Sequence, residues 1–212
     1  MNSIGVIGSG AVGQVLAAGF ARHGHAVTIG SRTPAKLADW AQTAPGVTVG
    51  HFTDAARADV VILAVQGGAA AEALEVAGLD ALAGKVVIDT CNPIAGAPVK
   101  GILPYFTGPN DSLMQRLQAL APAARFVKAF NSVGSGFMID PALPGGRPTM
   151  FICGDDAAAK GTVTALLAEV GWDAEDVGGV EGAGPIEALC QLWCAPGFLR
   201  NDWAHAFKVL KP

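Results

Sequence analysis

Short apolar runs alternate with longer stretches of helical period along most of this chain. Ile4–Ile7 reads as a strand, Ala11–His23 as a helix with Val12, Val15, Leu16, Gly19 and Phe20 on its apolar face, and Ala26–Ile29 as a second strand. Pro34–Thr43 reads as a helix with proline in its first turn, Val47–Val49 as a short strand and Asp54–Arg57 as a turn of helix. Strands follow at Asp59–Val65, Lys85–Asp89 and Arg125–Phe130, with helices at Ala69–Val76 and Ser112–Leu120. The run Val60-Val61-Ile62-Leu63-Ala64-Val65 is apolar on both faces, as parallel strands covered by helices must be. Beyond the Pro/Gly-rich stretch Pro141–Pro148 come a strand at Thr149–Cys153, a helix at Ala157–Val170 and a strand at Ala174–Val177. From Ile186 to Leu210 the pattern is helical, interrupted near Pro196-Gly197. The alternation predicts an α/β fold, a doubly wound and mostly parallel sheet. It forms one domain, 1–212, in which 186–212 is a short helical C-terminal extension.

Composition narrows the classes. Hydrophobic residues make up 51% and charged residues 15%, against roughly 25% charged in an average soluble domain, which excludes disorder. A net charge of −4 with no basic run leaves nucleic acid no electrostatic footprint. The apolar runs end at glycine or charge well short of the ~18 residues of a bilayer helix, so no membrane span is expected. Met1-Asn2-Ser3 leads directly into a strand without a basic segment, and the expected location is the cytoplasm. Cys190 and Cys194 share a helix face but lack enough neighbouring ligands for a metal. They read as small buried hydrophobes, like Cys91 and Cys153.

The sharpest motif is Gly8-Ser9-Gly10-Ala11-Val12-Gly13. It follows the first strand and opens the first helix, the context that makes this spacing a dinucleotide fingerprint. Gly8 permits the tight turn, Gly10 lets backbone meet a pyrophosphate and Gly13 lets helix and strand pack closely. The helix N-terminus then faces the anion. At the end of the second strand an NAD site carries a carboxylate for the ribose hydroxyls. Here the chain reads Gly30-Ser31-Arg32-Thr33-Pro34-Ala35-Lys36 instead. Ser31, Arg32 and Lys36 would attract a 2′-phosphate, each charge-assisted contact contributing about 1.5–3 kcal/mol, which points to NADP(H).

Ligands of open parallel sheets lie beyond the carboxyl ends of the strands. The fourth strand ends in Val65 and Gln66, the fifth in Asn92 and the sixth in Asn131. The two asparagines offer amides to a ribose or to the nicotinamide carboxamide. Asn92-Pro93 serves equally as a rigid turn, and Asn131 as a cap or turn former. Lys128 reads as a strand-end charge reaching solvent and Asp89 as a turn-forming carboxylate. His23 and His25 fall on the face opposite the site, His51 beyond the adenosine half and His205 in the terminal helix.

The opening Ile4–Gly13 stretch, the Gly30-Ser31-Arg32 corner, Asn92-Pro93, Lys128-Ala129-Phe130-Asn131 and the run from Arg147 to Asp156 together resemble one group. It is the NADP oxidoreductases related to the coenzyme F420-dependent NADP reductase. The resemblance covers nearly the whole chain and implies a Rossmann domain that binds NADP(H). It places Ser9–Val12 on the pyrophosphate, Ser31, Arg32 and Lys36 on the 2′-phosphate, and Val65, Asn92 and Asn131 at the nicotinamide end. The chain departs from it at Gln66-Gly67-Gly68, where members often carry proline after the valine. The group includes ferric-reductase amino-terminal domains that use flavin, so coenzyme F420 and a flavin both stand as second substrates.

Hydride transfer between two ring systems held ~3–3.5 Å apart needs positioning alone, which suits a sequence offering no evident catalytic nucleophile, acid or metal site. Only 186–212 remain after Pro185 to wall an acceptor pocket, and an open site fits a flat redox partner better than a small acid. Leu189, Leu192, Trp193, Phe198, Leu199, Trp203, Phe207 and Leu210 crowd this tail. They fit a helix packed on its own sheet or a homodimer interface. The expected activity is NADP(H)-dependent oxidoreduction, and a non-catalytic NADP(H) sensor is the alternative.

Overall fold

The computed structural model describes residues 2–212. Its strands β1 (Ser3–Ile7), β2 (Ala26–Gly30), β3 (Val47–Gly50), β4 (Val60–Leu63), β5 (Val86–Asp89) and β6 (Arg125–Lys128) form a parallel sheet in the order β3-β2-β1-β4-β5-β6. The chain winds outward from β1 in one direction and from β4 in the other. Such a reversal leaves a crevice at the carboxyl ends of the two central strands.

Both faces of the sheet are dry because alternate residues of each strand serve opposite cores. Ile62, Ile88 and Val127 pack with Leu16 and Phe20 of α1 (Ala11–Arg22) and with Val163, Leu166 and Leu167 of a later helix, Ala157–Glu169. Val61, Val87 and Phe126 face the other way, onto Leu74 of Ala70–Ala77 and Met114 and Leu117 of Leu113–Leu120. In chain order the helices are α1, α2 (Ala38–Thr43), α3 (Phe52–Ala55), α4 (Ala70–Ala77), α5 (Leu113–Leu120), α6 (Ala157–Glu169) and α7 (Ala183–Arg200). Strands β7 (Thr149–Ile152) and β8 (Asp173–Asp176) make a parallel pair of their own, joined to β6 by the antiparallel bridge Lys128–Cys153. Among the described residues, no helix is long and apolar enough to cross a membrane.

Several elements differ from the expectation. The segment after β2 begins as a 3-10 turn, Pro34–Leu37, before α2. The one-turn helix α3 starts two residues early, at Phe52. Helix α7 runs unbroken through Pro196, and it ends at Arg200 instead of Leu210. Asn201 stops it with a left-handed φ of 55°, a conformation asparagine tolerates better than most residues.

Residues 201–212 then return along β7 as irregular chain. The Thr149 N–H donates to the Phe207 carbonyl, and the Val209 N–H donates to Thr149 Oγ1. His205 therefore lies in this tail and not in a helix, its ring stacked on Trp193 with centroids 5.0 Å apart. Apolar spacing that resembles a helix is satisfied here by partners across β7 and Trp193. In α7, Ile186, Cys190 and Trp193 are buried on the domain itself, while Leu192, Phe198 and Leu199 remain exposed.

Candidate functional site

The glycine loop joins β1 to α1 at the central crevice. Gly8 takes a φ of +126°, and a Cβ there would fall 2.1 Å from the Ala64 carbonyl oxygen of the neighbouring strand end. A Cβ on Gly13 would stand 2.0 Å from the Gly8 carbonyl oxygen, so helix and turn touch through bare backbone. Gly10 is different: nothing lies within 4 Å of the place its Cβ would occupy. That open cradle sits at the N-cap of α1. The first bond of the helix runs from the Gln14 N–H to the Gly10 carbonyl, which leaves the N–H groups of Ala11, Val12 and Gly13 ahead of it. The first turn carries no acidic residue to repel an anion. Gln14 also donates from Nε2 to the Ser9 carbonyl at 2.9 Å, bracing the loop from the second turn. Sequence reading missed this residue, because a polar side chain on an amphipathic helix carries no signal of its own.

The corner after β2 lies beside this loop. Ser31 is buried, and its Oγ accepts from Ser9 Oγ and from the Thr33 N–H, both at 3.1 Å. Arg32 and Lys36 are exposed and have no ion-pair partner among the described residues. The hydroxyl thus joins the glycine loop to the cationic corner, and two cations stand there without an internal claimant.

These features share one cleft of about 1080 Å³. Its lining includes Gly8, Ser9, Gly10, Ala11 and Val12 from the loop, Ser31, Arg32 and Lys36 from the corner, and Val65, Gln66 and Asn92 from the next strand ends. Gly13 and Asn131 do not line it. Gly13 is used in helix packing, and Asn131 stands behind Asn92, holding it by two bonds. The cleft also takes in Glu72, its one carboxylate, from the first turn of α4. Nothing in the structure explains Gln66 where relatives often carry proline, but Gly67 beside it is required, since a Cβ there would fall 2.0 Å from the Asn92 carbonyl oxygen.

Behind the ends of β5 and β6 lies a buried ion triad. Lys128 Nζ stands 2.9 Å from Asp89 Oδ2, 2.8 Å from Glu187 Oε1 and 2.6 Å from the Cys91 carbonyl. Lys128 is 0% exposed, so the expectation that it reaches solvent is overturned. Parallel pairing sets it beside Asp89, and α7 closes the remaining side with a second carboxylate. Burial would push the ammonium towards neutrality, but Asp89 and then Glu187 outweigh it and hold its pKa above the ordinary lysine value. Asp89 also forms the expected turn, with Oδ1 accepting the Cys91 N–H. Burial, with Asp89 nearby, drives the Cys91 thiol well above its usual range and keeps it protonated.

Glu187 escaped the sequence reading altogether. Its carboxylate accepts the Leu113 and Met114 N–H groups as well as Lys128, capping α5. The available signal was a lone acid beside the buried stripe Ala183, Ile186, Cys190 and Trp193, a position that demands a partner. Residue 130, just past β6, adds strain. Phe130 is fully buried against Phe20 with a φ of 61°, a left-handed conformation that costs an aromatic residue about 1–3 kcal/mol. Its surroundings hold the turn that delivers Asn131.

Comparison with known proteins places this geometry in context. The sequence model for the family "NADP oxidoreductase coenzyme F420-dependent" matches residues 3–93. A protein from Arthrobacter sp. FB24, provisionally assigned as an F420-dependent NADP reductase, superimposes with a TM-score of 0.93 at 34% identity, covering 100% of both chains. The hypothetical protein SMa0349 from Sinorhizobium meliloti gives a TM-score of 0.76 at 29% identity over 88% of this chain and 90% of that one. Metalloreductase STEAP3 of Rattus norvegicus is 29% identical over an alignment 202 positions long that covers 92% of this chain and 38% of the rat protein. The chain thus spans 38% of the length of the curated relatives it matches. An imine reductase from Myxococcus stipitatus in complex with NADP+ has a TM-score of 0.66 at 20% identity, a likeness of fold alone.

Proposed function

The chain belongs to the family of coenzyme F420-dependent NADP oxidoreductases, and from that premise we propose that it passes a hydride between NADPH and a second redox cofactor, a deazaflavin of the F420 type or a flavin. The observation that carries the reading is the corner at Arg32 and Lys36. Two cations without internal partners flank the Ser31 hydroxyl beside an open glycine loop, an arrangement suited to a nucleotide with an extra phosphate. The Gly10 cradle and the leading N–H groups of α1 suit a pyrophosphate. Val65, Gln66 and Asn92 continue the same wall towards the nicotinamide end, with Asn131 behind them.

The dihydronicotinamide supplies the hydride when bound. The protein's part is to hold two rings in register and exclude water, which can contribute most of the rate when reacting atoms are held ~3–3.5 Å apart. Ile94, Ala95 and Gly96 wall the cleft beyond Asn92, where Ile94 leaves apolar surface for a flat acceptor. The test mixes the protein with NADPH and, separately, deazaflavin, FMN, FAD, quinone and ferric chelates, following loss of dihydronicotinamide absorbance. Ferric chelates belong in the panel because of the metalloreductase relatives. Turnover with a deazaflavin or a flavin supports the reading. Tight NADPH binding without turnover of any acceptor would instead make the protein a sensor. We also infer a homodimer, supported by the exposed Leu192, Phe198 and Leu199 of α7.

A further inference from the structure

No residue of α7 lines the cleft, yet one side chain ties the helix to it. Asn131 donates from Nδ2 to the Ile186 carbonyl of α7 at 2.9 Å and to Asn92 Oδ1 at 3.1 Å. Asn92 returns a bond from its own Nδ2 to the Asn131 carbonyl at 2.8 Å. Both amide protons of Asn131 are spent, and this fixes its orientation, because the flipped amide would set an oxygen against two acceptors. Asn131 Oδ1 is left buried with no hydrogen-bond partner among the described residues. Asn92 is half-buried in the cleft wall and keeps one N–H and one lone pair for a ligand.

The other end of this connection is rigid. Glu187 follows Ile186 directly, and its carboxylate is held by Lys128, by the Leu113 N–H and by the Met114 N–H. Tyr105 adds a bond from its hydroxyl to the Glu187 carbonyl at 2.7 Å. Helix α7 cannot slide without breaking a buried ion pair, so the Ile186 carbonyl is a fixed point.

We propose that Asn131 is a positioning residue for the nicotinamide end of the cleft, aiming the Asn92 amide and taking its own place from α7, which Glu187 anchors. The inference rests on the reading of the cleft as an NADP(H) site. An asparagine amide on its own turns about a broad torsion. Two reciprocal bonds to Asn131 hold Asn92 in one setting, so its free N–H meets the ligand from a constant direction. Hydride transfer is sensitive to such placement, a shift of about 1 Å costing on the order of a hundredfold in rate.

Asn131→Asp keeps the outline but presents acceptors to Ile186 and Asn92. The probes are 2′,5′-ADP, which fills only the adenosine half, and NADPH, both measured by calorimetry and NADPH also by its fluorescence when bound. The expected result is 2′,5′-ADP affinity within about twofold of the parent, NADPH affinity down at least about fivefold, and loss of the bound fluorescence enhancement. In an Asn92→Ala background, Asn131→Asp should cost NADPH binding nothing further, because coupled residues are not additive. Should Asn131→Asp fail to fold, Glu187→Gln must show the same split between the two probes. Equal losses for both probes, no loss for either, or full additivity with Asn92→Ala overturns the proposal. A parent protein whose NADPH binding 2′,5′-ADP does not compete away would instead overturn the reading of the cleft itself.

Discussion

Lys128 and Glu187 stand 59 positions apart, on β6 and α7, and their charged atoms meet at 2.8 Å with neither residue open to solvent. Asp89 completes the group, so one cation lies between two carboxylates. The excess negative charge rests on the N-terminus of α5, whose Leu113 and Met114 N–H groups point at Glu187. A set of buried charges like this adds little net stability as a whole, but removal of one member leaves the others stranded.

Lys128→Met should therefore destabilise the protein by about 3–5 kcal/mol at neutral pH, measured by urea unfolding. A loss below about 1 kcal/mol would show that the buried carboxylates do not depend on the ammonium.

Arg32→Ala should weaken NADPH binding about tenfold or more, the loss of one charge-assisted phosphate contact, and leave NADH binding almost unchanged. Calorimetry with the two nucleotides checks this. Equal losses would remove the 2′-phosphate assignment from this corner.

Gly10 and Gly13 separate binding from folding. A Cβ on Gly10 meets nothing within 4 Å, so Gly10→Val should keep its melting temperature and lose nucleotide affinity. A Cβ on Gly13 stands 2.0 Å from the Gly8 carbonyl oxygen, so Gly13→Ala should cost about 1–3 kcal/mol of stability by overpacking. Thermal melts with and without NADPH distinguish the two. A Gly10→Val protein that binds NADPH like the parent would take the pyrophosphate out of the cradle.

If a second copy covers α7, light scattering should report a dimer. Leu192→Glu, at a side chain 60% exposed in the single chain, should then give a monomer with an intact fold. A parent protein that scatters as a monomer would retire the homodimer.

How far these features could be read in advance depended on whether their cause was local. The central strands announced themselves because they are buried on both faces, and a run such as Val60–Leu63 cannot otherwise be accommodated, whereas the edge strand β3 has no fully buried residue. The glycine spacing was legible because it stands between a strand and a helix, with Gly8 pressed on the backbone of Ala64, Gly13 on that of Gly8, and Gly10 left open. Arg32 and Lys36 were legible because they follow β2 within a few residues and need no distant partner.

What stayed hidden depended on the meeting of distant segments. The end of α7 is set by the left-handed Asn201, and the return of 201–212 along β7 by the bonds of Thr149 with Phe207 and Val209, on which helical spacing in the tail is silent. Lys128 looked like a solvated charge because its two carboxylates arrive from β5 and α7. Asn131 was a candidate lining residue by its place at a strand end, and only the packing of α7 turns it behind Asn92. The chain by itself thus determined the sheet, the glycine loop and the cationic corner, each announced by a pattern local in sequence. The tertiary structure alone decided where the buried charges are neutralised and which amide faces the cleft, because a buried polar group takes its role from whichever partner the fold brings within hydrogen-bond reach.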